Sequence, residues 1–153
     1  MEMAEISLDE LVAHRPPMRF IHRVLSISDG EAVVEATVGP DNPLFIPGRG
    51  LPAYAGVEMM AQAIAAIDGM KRKLEGLPPK IGFLLGCRRY SVDRVAFEEN
   101  LRLKITATMV FSDGEMFAFE CRIEGAGGEA IARANMNVYA PHDPEAYLND
   151  GDA

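Results

Sequence analysis

A carboxylate and a carboxamide interrupt an otherwise apolar stretch near the middle of this chain. Between Ala55 and Ile67 the strongly polar side chains are Glu58 and Gln62, and alanine and methionine fill most other positions. Enclosing a lone acid among apolar residues is costly, and carboxyl groups in such places often transfer protons. We therefore expect Glu58 to act as an acid or a base, with an ion pair to an arginine as the structural alternative.

The neighbours of Glu58 indicate how a substrate would be held. Gln62 follows one helical turn later, at i+4, so we expect it to orient Glu58. A helix start leaves several backbone N–H groups unpaired, so those around Ala55 and Gly56 are candidate donors to a substrate carbonyl, beside Tyr54. The charge of Glu58 stays open, because burial favours the acid whereas the first turn of a helix favours the carboxylate.

The histidines and cysteines give weaker signals. His14, His22 and His142 have no metal-ligand spacing among themselves, so we expect no metal site. His14 follows an apolar segment and precedes two prolines, which leaves both a packing or capping role and a catalytic role open. Cys87 precedes two arginines and is either an activated thiolate or an ordinary strand residue. With only Cys121 as a second cysteine, we expect two free thiols and a reducing compartment.

The elements that must position these residues follow from periodicity. The apolar stretch from Ala55 predicts one enclosed helix, and Ser7 with Glu10 predicts the N-cap of a short one. Alternating apolar residues and turn signals predict about six strands, over residues 19–27, 31–38, 81–90, 101–110, 117–123 and 129–139. An antiparallel sheet has one face to bury, so we predict an α+β domain in which the sheet wraps the helix.

Length, composition and charge exclude several classes of protein. The 153 residues suit one domain, which we place over residues 1–140, followed by a loose acidic tail over 141–153. The net charge of −8 argues against nucleic acid and anionic membrane as partners. Neither a secretory signal nor an apolar run long enough to span a bilayer is evident, so we expect a cytoplasmic protein.

Over roughly residues 14–141 the sequence resembles a known enzyme superfamily, the β-hydroxyacyl-acyl carrier protein dehydratases. Three segments carry the resemblance: His14-Arg15-Pro16-Pro17-Met18 with the strand after it, Pro52 followed by Glu58-Met59-Met60-Ala61-Gln62, and Ile81-Gly82-Phe83-Leu84-Leu85-Gly86. The wording Leu51-Pro52-Ala53-Tyr54-Ala55-Gly56-Val57-Glu58 is closest to the ApeP-like dehydratases of aryl polyene biosynthesis. The resemblance implies a hotdog fold, working as a dimer or a multiple of dimers, without a cofactor of its own.

One departure from the family pattern bears on mechanism. The dehydratases place a catalytic histidine in a His-Phe-Pro-Gly stretch fourteen residues before the helix glutamate, and here that position is Leu44. Residues 44–50 contain no histidine even if the alignment slips. The resemblance therefore implies either a homodimer with another base, for which His14 is the candidate, or a heterodimer with a hotdog paralogue that carries the missing histidine.

The substrate of such an enzyme is a thioester on the phosphopantetheine of an acyl carrier protein or on coenzyme A. Arg49, between two glycines, would grip the phosphate unless it is a solvent-facing loop residue. Arg88, Arg89 and Arg94, with the basic run at residues 71–73, are the candidate docking cluster for an acidic carrier protein; a merely solvated face is the alternative.

Three functions fit these residues. The leading hypothesis is a 3-hydroxyacyl-[acyl carrier protein] dehydratase, or a subunit of one, in fatty acid or polyene-type biosynthesis. The second is a hotdog thioesterase, in which the helix carboxylate serves as base or nucleophile and no histidine is needed. The third is a non-catalytic partner subunit, for which replacing Glu58 would change no activity.

Overall fold

The computed structural model describes residues 7–78 and 83–139, without the side chains of residues 83–85. The two helices are α1 (Leu8–Leu11) and α2 (Ala55–Leu74). The strands are β1 (Arg23–Ile27), β2 (Glu31–Thr37), β3 (Leu51–Pro52), β4 (Phe83–Val92), β5 (Ala96–Phe97), β6 (Arg102–Ser112), β7 (Met116–Glu124) and β8 (Ala130–Tyr139). The predicted tail, residues 141–153, lies outside the described residues.

Six of the strands form one antiparallel sheet in the order β1-β2-β6-β7-β8-β4, and β3 pairs with β5 in a separate two-stranded sheet. Helix α2 packs against strands from across the larger sheet, including β2, β6 and β7. The hotdog fold and the six predicted strands are confirmed. The small β3–β5 sheet was not predicted, because two-residue strands are too short to show an alternating pattern.

Helix α2 is enclosed because almost every side chain along its first fifteen residues is apolar or small. Met59, Met60, Ala63 and Ala66 are fully buried against the sheet. The helix continues seven residues past the predicted apolar stretch, to a basic last turn that suits the negative end of the helix dipole. In the described residues no helix is both long and apolar enough to cross a membrane.

Helix α1 lies against α2 through a close backbone contact at Gly69. A Cβ at this position would overlap the carbonyl oxygen of Leu11, which leaves glycine as the residue that fits. Ser7 caps α1 as predicted, accepting a hydrogen bond from the Asp9 N–H (3.2 Å). The carboxylate of Glu10, the expected second half of the cap, lies 3.2 Å from Lys73 Nζ and so links the two helices.

We predict that Gly69→Ala lowers the free energy of unfolding by about 3 kcal/mol, because α1 must move away from α2 to admit the methyl group. Urea denaturation measures the effect. Gly30→Ala is the matched control, since a Cβ there meets Met109 at an ordinary 3.7 Å. Equal stability of the two variants would show that the close contact between the helices does not hold in solution.

Candidate active site

Gln62 joins the central helix to the N-terminal segment, residues 12–20, that crosses it. The side chain has no exposed surface. Its oxygen accepts a hydrogen bond from the Phe20 N–H (2.8 Å), and its nitrogen donates to the Met18 carbonyl (2.9 Å). The same nitrogen donates to Glu58 Oε1 (2.9 Å). Gln62 therefore fixes both the path of the N-terminal segment and one oxygen of the carboxylate.

His14, on this N-terminal segment, meets the same carboxylate. Its Nε2 lies 3.5 Å from Glu58 Oε1. Its Nδ1 is buried and has no hydrogen-bond partner among the described residues. A proton on Nδ1 would be unsatisfied, whereas one on Nε2 would face a carboxylate, so Nε2 is the ring nitrogen that the geometry directs toward Glu58.

The two contacts leave Glu58 half-open. Gln62 and His14 both reach Oε1, and within the described residues no hydrogen bond or ion pair involves Oε2. The side chain is 45% exposed. In the single chain the carboxylate is therefore not enclosed, and its burial between two subunits stays a prediction. The alternative of an ion pair with an arginine is not realised in the described part of the chain.

The start of α2 is held by Tyr90, a residue that the sequence did not single out. The Tyr90 hydroxyl donates to the Ala53 carbonyl (2.5 Å), and a Cβ on Gly56 would overlap that hydroxyl. Burial raises the pKa of Tyr90 to about 12, so it stays a hydrogen-bond donor at neutral pH. No sequence pattern marks Tyr90, since a tyrosine on a strand is ordinary.

One expected substrate donor is already engaged. The Gly56 N–H donates to the Ala53 carbonyl (3.1 Å), because the helix opens with a tight turn that uses this group. Its assignment as an unpaired carbonyl donor is therefore wrong, and the N–H of Ala55 remains the candidate. Tyr54 is 64% exposed beside it, and Arg49 is exposed on the loop before β3.

The other candidate residues lie in different places. Leu44, to which the resemblance assigns the place of the family's histidine, packs partly buried against the core. Arg94 is held by its neighbour Asp93 (2.6 Å), whereas Arg88 and Arg89 are exposed on β4. Both cysteines are free, and burial raises the pKa of the Cys87 thiol, which disfavours the reactive thiolate. The residues described include no cluster that would hold a metal ion.

The arrangement provides one carboxylate with an occupied and an open oxygen. The carboxamide N–H of Gln62 donates to Oε1 and sets the orientation of the carboxylate, and the His14 imidazole lies 3.5 Å from the same oxygen. The open oxygen can then take up or release a proton. This is the chemistry of a general base, positioned at the start of a helix whose dipole also favours negative charge.

Comparison with known proteins identifies relatives of the whole chain. The model of the ApeP dehydratase family matches residues 6–149. The dehydratase heterocomplex ApeI:P from Xenorhabdus doucetiae matches with a TM-score of 0.83 and 28% identity, over 94% of this chain and 96% of that one. No curated protein matches the chain.

More distant structures share the fold alone. The E. coli PaaI protein, from a phenylacetic acid degradation operon, matches with a TM-score of 0.60 and 16% identity, over 76% of this chain and 80% of that one. A hypothetical thioesterase with coenzyme A from Streptococcus pneumoniae TIGR4 gives a TM-score of 0.60 and 13% identity, over 78% and 84%.

We predict a large loss of stability on replacing Gln62 and a small change on replacing Glu58. Gln62→Leu should lower the free energy of unfolding by about 3 kcal/mol, because it leaves the buried Phe20 N–H and the Met18 carbonyl without partners. Glu58→Gln, at a half-exposed position, should change it by less than about 0.5 kcal/mol. Chemical denaturation compares them, and a Gln62→Leu protein as stable as the wild type would contradict the tethering role of Gln62.

Proposed function

The chain belongs to the ApeP dehydratase family, and from this premise we propose that it removes water from a 3-hydroxyacyl thioester with Glu58 as the general base. The observation that carries the proposal is the asymmetry of the carboxylate. Gln62 and His14 hold Oε1, and Oε2 is left open toward a substrate.

The reaction needs a base at C2 and a proton donor at the C3 hydroxyl. The thioester carbonyl acidifies the C2–H bonds, so a carboxylate can remove one proton as charge moves onto the carbonyl oxygen. Glu58 Oε2 takes that proton, and the Ala55 N–H at the start of α2 is our candidate to stabilise the oxygen. The C3–O bond then breaks, the hydroxyl leaves as water with a second proton, and an enoyl thioester remains.

His14 acts through Glu58 in this proposal and is a positioning residue. Its Nε2 faces Glu58 and its Nδ1 is buried without a partner among the described residues, so neither ring nitrogen points toward the leaving hydroxyl of a bound substrate. Its contact with Oε1 instead limits the orientations of the Glu58 carboxylate. The group that gives the second proton to the leaving hydroxyl therefore comes from outside the contacts of this single chain.

A second hotdog subunit is our proposed source of the missing donor. Strand β4 is ten residues long and lies at one edge of the sheet, where an unpaired backbone edge can accept another strand. The similar structure from Xenorhabdus doucetiae is a dehydratase heterocomplex, ApeI:P. Leu44 occupies the position of the family's histidine, so a partner that carries this histidine would supply what the chain lacks.

Cavities within the single chain also favour a site completed by a partner. Two cavities, of about 530 and 280 Å³, lie along the second half of α2, and Ile67 and Lys71 line both. Ile67 is nine residues after Glu58, which places it on the opposite face of the helix. Neither cavity therefore surrounds an acyl chain bound at Glu58. We assign the walls around that chain to the partner. The substrate itself is carried on phosphopantetheine, and we propose no further cofactor.

We predict that the wild-type chain, assayed with its hotdog partner, converts a 3-hydroxyacyl thioester to the enoyl thioester with loss of water. Glu58→Gln should lower kcat by about 1000-fold because it removes the base. His14→Leu should lower kcat by about tenfold with little change in KM, because Glu58 loses one of its two anchors. Mass spectrometry of the acyl group measures both.

His14→Gln is the matched control, because its side-chain amide can still donate to Glu58 and should restore most of the activity. Release of free thiol without enoyl product, abolished by Glu58→Gln, would instead identify a thioesterase. Full dehydratase activity of the Glu58→Gln variant in the complex would show that this chain is a non-catalytic subunit.

A further inference from the structure

Four arginines gather on the outer face of the sheet, where β4, β8 and β7 run side by side. They are Arg88 and Arg89 on β4, Arg133 on β8 and Arg122 on β7, and all four are exposed. We call this set the arginine surface. It shares Arg88 and Arg89 with the cluster predicted from the sequence, but it replaces Arg94 with Arg122 and Arg133.

A β-bulge places the two consecutive arginines of β4 on one face. The register pairs Arg88 with Asn135 and Ser91 with Arg133, so β4 has an extra residue between them. Arg89 adopts a φ of 58°, a left-handed conformation that is unfavourable for a long side chain. Bulges of this kind redirect side chains, and here the result is an added positive charge on the outer face.

Three of the four arginines of the arginine surface have no carboxylate partner among the described residues. Within the described residues, Arg88, Arg89 and Arg133 have neither an ion pair nor a side-chain hydrogen bond, whereas Arg122 is paired with Glu124 (2.6 Å). Arg122 and Arg133 also face each other directly across β7 and β8, a like-charge pair that is destabilising. This concentration of positive charge is notable in a chain of net charge −8.

The surface contains a groove of about 350 Å³ with further polar groups. Its walls include Arg89, Arg122 and Arg133, and also Thr106, Thr108 and Asn135. One acid, Glu120, lines it as well. Because Arg122 is paired with Glu124, Arg89 and Arg133 face the single carboxylate of Glu120, which leaves the groove with a net positive charge. Thr106 and Asn135 add uncharged hydrogen-bonding groups.

We propose that the arginine surface docks an acidic protein, which, on the basis of the proposed function, is the carrier protein that delivers the thioester. Three adjacent strands span about 10 Å, close to the diameter of an α-helix, so an acidic helix can meet all four arginines at once. The negative charge of the rest of the chain repels such a partner elsewhere and so directs it to this surface.

The arginine surface is also connected to the candidate active site through one strand. Tyr90, directly after Arg89, turns inward and binds the Ala53 carbonyl at the start of α2. A partner docked on the outer face of β4 is thus separated from the helix start by the thickness of the sheet at its edge.

The test is a triple variant, Arg88→Gln, Arg89→Asn and Arg133→Gln, in the full complex with its hotdog partner. Asparagine is chosen at position 89 because it tolerates the left-handed conformation. The matched control is Arg23→Gln, Arg102→Gln and Lys104→Gln, which makes the same change in net charge elsewhere on the exposed face. Thermal denaturation should show both proteins folded, since all six side chains point to solvent.

Two readouts separate docking from chemistry. Calorimetric titration with a phosphopantetheine-loaded carrier protein should give a Kd about tenfold higher for the triple variant than for the wild type or the control, with a weaker dependence on salt. Turnover of an N-acetylcysteamine thioester, which carries no protein and no phosphate, should be the same in all three proteins.

An unchanged Kd in the triple variant, or an equal loss in the control variant, overturns the docking inference. A wild type that does not bind the carrier protein overturns it as well. If the proposed function is wrong, the result differs. The wild type then dehydrates neither substrate but still binds the carrier protein in the titration.

Discussion

The structure depends on a single buried carboxamide. Gln62 is a polar side chain without exposed surface on a helix otherwise filled with alanine and methionine, and each of its hydrogen-bonding groups has a partner. A buried amide is tolerable only when it is fully paired, so the N-terminal segment must cross α2 where its backbone supplies those partners. Because the third contact of Gln62 is Glu58, the requirement that satisfies the core also orients the carboxylate.

Close packing on the same helix face completes this arrangement. Gly69 lets α1 approach α2, and the chain then runs from α1 through His14 to the backbone groups that bind Gln62. His14 reaches Glu58 because both ends of this short connection are fixed. The structural and functional roles of the N-terminal segment are thus inseparable, since whatever loosens it also moves the imidazole away from the carboxylate.

Much of the fold could be predicted from the sequence, because its signals are local. Alternation along residues 101–110 and 117–123 gave the strands, and the apolar run from Ala55 gave the helix. The sequence could not decide whether His14 contacts Glu58, because 43 residues lie between them and no periodicity relates the two. The i+4 spacing did predict the contact between Gln62 and Glu58, because helical geometry fixes it.

The errors have physical reasons as well. Glu58 was expected on an enclosed helix, but in the single chain its side chain is 45% exposed although its neighbours Met59 and Met60 are buried. Gly56 was expected to offer a free N–H, but the tight opening turn of α2 uses that group. No sequence pattern predicts the role of Tyr90 or the bulge at Arg89, because the side on which each residue of β4 lies depends on its register with β8.

The most direct test of the central claim follows the proton that Glu58 is proposed to remove. A saturated acyl thioester without the C3 hydroxyl cannot lose water, yet a base at C2 still exchanges its C2 protons with solvent. In D₂O, with the hotdog partner present, the account predicts deuterium at C2 for the wild type and almost none for Glu58→Gln, measured by mass spectrometry. Equal deuterium incorporation by both proteins, or none by a wild type that dehydrates its substrate, would contradict it.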